Sequence, residues 1–260
     1  MNELAEKVAI VTGGGHGIGR RIASVYARAG AKIVIAARAE KPMRETCAEL
    51  ERAGCRALYI PTNVASEADC DRMIERALSA WGRADILVNN AGVAGPTAKL
   101  TDMKLAEWQE VIDVNLTGCW LASRAAIKHM ATRGSGDIVN ISSLAGREAY
   151  PMRTPYAASK WAMIGLTQSL AKEWGRNGIR VNCICPGPVA GDRIGEVIKA
   201  RAAAQGLSEE QVSHAVVGRT SMGRMVTEDE CAQVALFLVT QPSSGLTGQS
   251  INVDAGLAMN

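Results

Sequence analysis

The sequence predicts an α/β domain, doubly wound around one mostly parallel seven-stranded sheet. Three observations predict it. Short apolar runs recur along the chain with amphipathic stretches between them. The runs are almost continuously apolar, as strands covered on both faces are. Polar or glycine-rich turns follow the carboxyl ends of the runs, where open α/β sheets bind ligands. No composition break, linker or solenoid repeat interrupts the alternation, so residues 1–260 read as a single domain.

The elements follow in order. Residues 7–12 contain Val8-Ala9-Ile10-Val11, a buried strand. Thr12-Gly13-Gly14-Gly15-His16-Gly17-Ile18-Gly19 comes next, then a helical pattern over 20–29. A strand, a glycine turn and a helix together aim helix N-terminal amides at a phosphate, and glycine lets backbone approach a pyrophosphate. A second strand, 32–37, ends in Ala37-Arg38. The general dinucleotide pattern has an acid near here for the ribose 2′-hydroxyl. Arg38 stands instead and suits a 2′-phosphate, with His16 and Lys41 adding positive charge.

A helix over 43–53 is closed by Gly54, and a third strand, 57–61, leads to Asn63-Val64. Ser66 is placed to cap a helix running to Trp81. The fourth strand, 86–88, runs into Asn89-Asn90-Ala91-Gly92. Residues 105–132 are helical with an interruption at Asn115-Leu116-Thr117-Gly118, expected to break the helix and free a carbonyl for water. The fifth strand, 137–141, delivers Ser142-Ser143. A helix carrying Tyr156 and Lys160 then continues to 177, where Gly178 caps it. A sixth strand, 180–184, ends in Pro186-Gly187-Pro188-Val189. Residues 190–224 are the least regular part and read as a substrate lid spanning about 188–224. Thr227 starts a helix to 239, and 251–253 is the last strand.

Composition excludes several classes. The net charge is +3 with no Lys/Arg block, so neither nucleic acid nor an anionic membrane is an expected partner. No apolar run is long enough to span a bilayer, and residues 1–7, with two glutamates, do not read as a signal peptide. The seven cysteines show no metal-ligand or redox spacing and are expected as reduced, buried thiols of a cytoplasmic protein without a metal. Cys183 and Cys185 are expected on opposite faces of their strand.

Tyr156-x3-Lys160 is the stretch with chemistry in it. Four residues apart on a helix, both side chains project to one side, and the ammonium favours the phenolate. Free tyrosine titrates near pH ~10, so a neighbouring cation brings it toward the working range for proton transfer. Ser143, arriving from another element, is placed to bond the same oxygen. The set suits moving a proton on and off an alcohol or carbonyl oxygen.

Thr12-Gly13-x3-Gly17-Ile18-Gly19, Asn89-Asn90-Ala91-Gly92, Asn115, Ser143, Tyr156-x3-Lys160 and Pro186-Gly187, in that order, resemble the short-chain dehydrogenase/reductase family over essentially the whole chain. The resemblance implies a Rossmann-like fold, a nicotinamide cofactor and hydride transfer to or from a secondary alcohol or carbonyl. It implies Tyr156 as general acid/base, Lys160 lowering its pKa and holding the nicotinamide ribose, Ser143 polarising the substrate oxygen, and Asn115 holding a water that leads to solvent. Gly13, Gly17, Ile18 and Gly19 would meet the pyrophosphate, Asn90, Ala91 and Gly92 the adenosine half, and Val189 the nicotinamide amide. Thr12, Gly15, His16, Arg38, Asn63, Val64, Pro186 and Gly187 complete the implied cofactor contacts.

Three positions depart from the family pattern: Asn63 where Asp is common, Gly191 where Thr is common, and Ala37-Arg38 where NAD-preferring members carry an acid. The last points to NADP, with NAD as the alternative. The resemblance implies a homo-oligomer, a tetramer or dimer, with Trp108, Trp120, Trp161 and Trp174 as candidate interface anchors. Arg147 and Arg153, between Ser143 and Tyr156, suggest a small polar or anionic substrate, with further cationic residues Arg193, Arg201, His214 and Arg219 in the lid. The competing readings are a 3-oxoacyl thioester reductase, a nucleotide-sensing module without catalysis, and an epimerase or dehydratase on the same fold.

Overall fold

The computed structural model describes residues 2–259. Seven strands form one sheet in the order β3-β2-β1-β4-β5-β6-β7. They are β1 Val8–Thr12, β2 Lys32–Ala37, β3 Ala57–Pro61, β4 Ile86–Asn89, β5 Gly136–Ile141, β6 Ile179–Pro186 and β7 Ser250–Val253. Every ladder is parallel, so the expectation of a mostly parallel sheet tightens to an all-parallel one. The strand order reverses between β1 and β4, which opens the crevice where such sheets bind ligands.

The apolar runs are continuous because both sheet faces are covered. Along β1 successive side chains enter different cores: Ala9 and Val11 pack with Ile22 and Tyr26, whereas Val8 and Ile10 pack with Met73 and Met130. The first core lies under α1 Gly17–Arg28 and α9 Glu228–Leu238, pinned by the Tyr26 hydroxyl donating to the Ala235 carbonyl at 2.8 Å. The second lies under α3 Glu67–Trp81 and α5 Gly118–Arg133. Burying each large aliphatic side chain contributes about 1.5–3 kcal/mol, so filling both faces stabilises the sheet strongly.

Element boundaries depart from expectation at informative places. The first helix begins within the glycine turn, at Gly17 rather than 20, and α2, Glu40–Arg52, begins ahead of Pro42. Pro42 fits because first-turn amides need no intrahelical partner. The expected break after α4, Leu105–Ile112, is a π-helical turn over Asp113–Thr117, in which the Gly118 amide donates to the Asp113 carbonyl. The helix of Tyr156 is α6, Thr154–Trp174, followed by a 3₁₀ turn, and Gly178 stands at φ 72° just beyond.

Residues 190–224 are not irregular. They hold α7 Asp192–Gln205 and α8 Glu209–Gly218. Ser208 and Gln211 form a reciprocal capping box at the start of α8, and Ile198, Ala202 and Val212 make a small core between the two helices. Their approach is fixed by Val189, which bridges in parallel to Val226. Cys183 and Cys185 share one face of β6, beside Ile164, because strand side chains repeat every second residue; the expectation of opposite faces is corrected. All seven cysteines are free thiols, and no helix is long and apolar enough to cross a membrane among the described residues.

Candidate active site

Three carboxyl-terminal strand ends and the start of α6 converge on one crevice. Thr12, closing β1, is buried and accepts the backbone amides of Asn90 and Ala91 at 3.0 Å each. The Asn90 side chain donates to the carbonyls of Thr12 and Gly13 at 3.0 and 3.1 Å. These bonds tie the glycine turn to the end of β4. They also explain Gly19, where a Cβ would collide with the Asn90 amide and the Gly13 carbonyl. At Gly17, φ +58°, a Cβ would meet only Glu228 Oε1, at 3.7 Å.

The start of α1 fits an anion. Its N-cap, His16, makes no side-chain capping bond, and no acid lies in the first turn. By contrast α3, α8 and α9 each have a Ser or Thr hydroxyl accepting an amide at that place. The free amides of α1 and its positive dipole end are therefore directed at whatever occupies the turn. Arg38, directly after β2, is exposed and makes no ion pair among the described residues. Asn63, exposed after β3, accepts the Ala65 amide through Oδ1 at 3.2 Å, while Val64 is buried beside Gly118. These groups fit a dinucleotide laid across the β1–β4 crevice. On the far side, the Gly187 amide donates to Val253 at 2.9 Å, holding the Pro186–Val189 segment against β7.

The candidate reacting cluster sits beyond the ends of β4 and β5. Ser143 lies two residues beyond β5, and its hydroxyl oxygen accepts the Ala145 amide at 3.1 Å, which leaves its proton for another acceptor. Ser142 donates to the Lys160 carbonyl at 2.8 Å and fastens β5 to α6. Lys160 is 4 % exposed, lies 5.7 Å from the Tyr156 ring centroid and donates to the Ile141 carbonyl at 2.7 Å. Crowding around the Tyr156 hydroxyl alone would raise its pKa. The charges of Lys160 and Arg193, the Ser143 hydroxyl and the Arg153 charge outweigh this and hold the phenol below its ordinary value. Burial and the nearby Arg193 depress Lys160, with Tyr156 opposing them.

Asn115 is fully buried in the π turn, and its side chain is engaged with protein. Its Nδ2 donates to the Val93 carbonyl at 3.0 Å and to Ser159 Oγ at 3.1 Å, and its Oδ1 accepts the Val93 amide at 2.8 Å. It thereby clamps the Gly92 segment to α6. Gly92 is close enough that a Cβ would lie 3.1 Å from Asn115 Oδ1 and 3.8 Å from Lys160 Nζ.

The two arginines expected at the substrate part ways. Arg147 turns under the sheet edge, where its Nη2 donates to the Ser250 carbonyl at 2.6 Å and its charge lies beside Cys185. This placement corrects the expectation that it faces substrate, because its guanidinium packs β7 against the turn after Ser143. Arg153, by contrast, is 3 % exposed and lies 5.3 Å from the Tyr156 ring. Arg219 pairs with Glu148 at 2.7 Å. Sequence reasoning missed a buried network that aligns β4 and β5 beneath the site. Asn89 donates to Ser123 and Asn140 at 2.9 Å each, and Asn140 donates to Thr167 at 2.9 Å. Polar residues inside apolar strands at 89 and 140 were its only trace.

A crevice with a phosphate-shaped helix start and an acidified tyrosine defines a class of nucleotide-dependent oxidoreductases. The comparisons with known proteins agree. The short chain dehydrogenase family model matches residues 7–202, and the chain belongs to that family. It is 36% identical to a 3-oxoacyl-[acyl-carrier-protein] reductase of Synechocystis sp., covering 100% of both chains. It is 35% identical to a cis-4-hydroxycyclohexanecarboxylate dehydrogenase of Sinomonas cyclohexanicum, covering 97% of each. Among solved structures, NAD+-bound xylitol dehydrogenase superposes with TM-score 0.95 at 28% identity, over 98% of this chain and 100% of that one. An actinorhodin polyketide ketoreductase with NADPH superposes with TM-score 0.93 at 33% identity, over 96% and 97%. The protein is an NAD(P)-dependent oxidoreductase of alcohol and carbonyl groups.

Proposed function

We propose that the protein interconverts a secondary alcohol and a carbonyl in a small polar or anionic substrate, with NADP(H) as its cofactor. The observation that carries the reading is Tyr156, whose acidity is raised by Lys160 and the neighbouring arginines while Ser143 shares its hydrogen-bonding position. The nicotinamide, when bound, supplies or accepts the hydride. In reduction, Tyr156 gives its proton to the substrate oxygen; in oxidation its phenolate takes that proton back. Ser143 donates to the same oxygen and fixes its position. Lys160 holds the phenolate by charge and is near enough to Gly92 to reach the ribose on the crevice side. Asn115 sets the π turn, through which water would relay the proton to solvent.

Gly13, Gly17, Ile18 and Gly19 hold the pyrophosphate with the α1 amides, and Asn90, Ala91 and Gly92 flank the adenosine half. Thr12, Gly15, His16, Asn63, Val64, Pro186, Gly187 and Val189 complete the cradle. Arg38 pairs with the 2′-phosphate; its free, exposed guanidinium beyond β2 supports this, as does the missing acid at Ala37. Helices α7 and α8 close over the substrate as a lid around 188–224. The protein acts as a homo-oligomer, dimer or tetramer, in the cytoplasm. A second reading, 3-oxoacyl thioester reduction, is supported by the Synechocystis relative.

Fluorescence titration with NADPH and NADH tests the cofactor assignment. NADPH is expected to bind about 10–100-fold tighter, and Arg38→Ala to remove the difference while leaving NADH unaffected. Equal binding of both by the native protein would reassign the cofactor to NAD.

A further inference from the structure

Two guanidinium groups lie over the tyrosines beside the candidate reacting cluster, and a third is near enough for its charge to be felt there. Arg153 stands at the start of α6, 5.3 Å from the Tyr156 ring centroid and 6.0 Å from that of Tyr150. Arg201, on α7, lies 4.5 Å over the opposite partner, Tyr150. The two tyrosine rings are 6.3 Å apart and tilted by 46°. Arg193, two turns earlier on α7, is close enough for its charge to act on Tyr156, Lys160 and Arg153.

No carboxylate neutralises this set. Eight arginines elsewhere in the chain pair with acids: Arg20, Arg21, Arg72, Arg83, Arg124, Arg180, Arg219 and Arg224. Among the described residues, Arg153, Arg193 and Arg201 have no acidic oxygen within 4.0 Å. Arg153 is the telling member. It is 97 % buried by its 3 % exposure, one Nη is held by the Ala94 carbonyl at 2.6 Å, and its Nε has no partner. A desolvated guanidinium with an open donor and no counter-ion is unfavourable, and an added cation makes it more so. An oxyanion placed among the three groups would correct both faults.

We propose that Arg153, Arg193 and Arg201 form an anion subsite, and that the substrate is a small keto or hydroxy acid whose oxyanion docks there while its carbonyl oxygen meets Tyr156 and Ser143. This rests on the oxidoreductase reading of the same site and names the substrate class. The oxyanion is a carboxylate or a sulfonate, since either presents the planar or trigonal oxygens that guanidinium binds in pairs. The short spacings from Arg153 to both tyrosine rings place the anion a few bonds from the carbonyl. Two of the three cations ride on α7, so the substrate charge also draws the lid down onto the site. A neutral substrate of the same shape gains none of this.

The test compares acids with their esters by isothermal calorimetry, on the protein with and without NADP+. The probes are 3-oxobutanoate, 4-oxopentanoate and 5-oxohexanoate, each against its methyl ester, together with the uncharged N-acetylcysteamine thioester of 3-oxobutanoate. At least one acid is expected to bind about tenfold or more tighter than its ester. Arg193→Gln and Arg201→Gln, both on the lid surface and checked for folding by circular dichroism, should each reduce that ratio, and the double variant should abolish it. The proposal is overturned if no acid in the series out-binds its ester, if the ratio survives the double variant, or if the neutral thioester binds best. Reduction assays with NADPH and NADH separate the two levels. Acid-selective binding without turnover of any carbonyl would sink the oxidoreductase reading and keep the subsite; turnover without acid selectivity would do the reverse.

Discussion

At Tyr156 two opposing effects decide the chemistry, and their sign yields a pH prediction. Crowding disfavours the phenolate, but Lys160, Arg193, Ser143 and Arg153 favour it more, so the phenol titrates below its ordinary value. Oxidation needs the phenolate and reduction the phenol. Alcohol oxidation is therefore expected to rise with pH and level off below pH ~10, while carbonyl reduction falls over the same interval. Lys160→Met should move both transitions upward, and profiles that stay in place would remove Lys160 from that role. Tyr156→Phe is expected to lower turnover about 10²–10⁴-fold while cofactor binding, read by fluorescence, is retained. Near-native turnover in that variant would reassign the acid. Residue identity alone marked Tyr156, Lys160 and Ser143. It did not separate Arg147 from Arg153, because the five residues between them leave direction open and only packing sends one under β7 and the other beside the tyrosine.

Elements were legible where local chemistry is self-sufficient. Ser66 was readable as a cap, and it accepts the Asp69 amide. The start of α9 shows the same logic in stronger form: Thr227 and Glu230 cap reciprocally, and Arg224 grips the Glu230 carboxylate at 2.7 Å. That pairing and the Thr227 bonds hold Glu230 down at about 2. Because the folded-state value lies below that of the unfolded chain, this contribution is fully present above pH ~4.3 and is lost as pH falls toward 2. Glu230→Gln should flatten that part of the urea-stability profile, and Thr227→Ala should cost about 1 kcal/mol at neutral pH. An unchanged acid limb would show that the α9 start frays in solution. The π turn was half legible. Asn115 and Gly118 signalled a disturbed helix, but its form depends on Asn115 reaching Val93 and Ser159 across the site.

On the scale of the whole molecule, two half-exposed tryptophans stand out on adjacent helices. Trp120 on α5 and Trp161 on α6 are 43% and 51% exposed, and Trp120 stacks under Arg124 at 5.1 Å. Such aromatic groups on a helix face are suited to anchoring a second copy. Light scattering after size exclusion is expected to show a dimer or tetramer, reduced to a smaller species by Trp120→Glu; a monomeric native protein would end that proposal. The sequence by itself determined the doubly wound sheet and marked the candidate nucleotide crevice and the proposed trio of Ser143, Tyr156 and Lys160. Each of these is written in local signals: buried apolar runs, a glycine turn between strand and helix, and an i,i+4 pair. Tertiary structure decided the rest. It made α7 and α8 ordered helices by giving Ile198, Ala202 and Val212 one another to pack against. It also set Arg153 and Arg201 over one pair of tyrosines, with the Arg193 charge beside them. Arg153 is separated in the chain from Arg193 and Arg201 by α6 and β6, and no periodicity records which of their charges will be left unpaired.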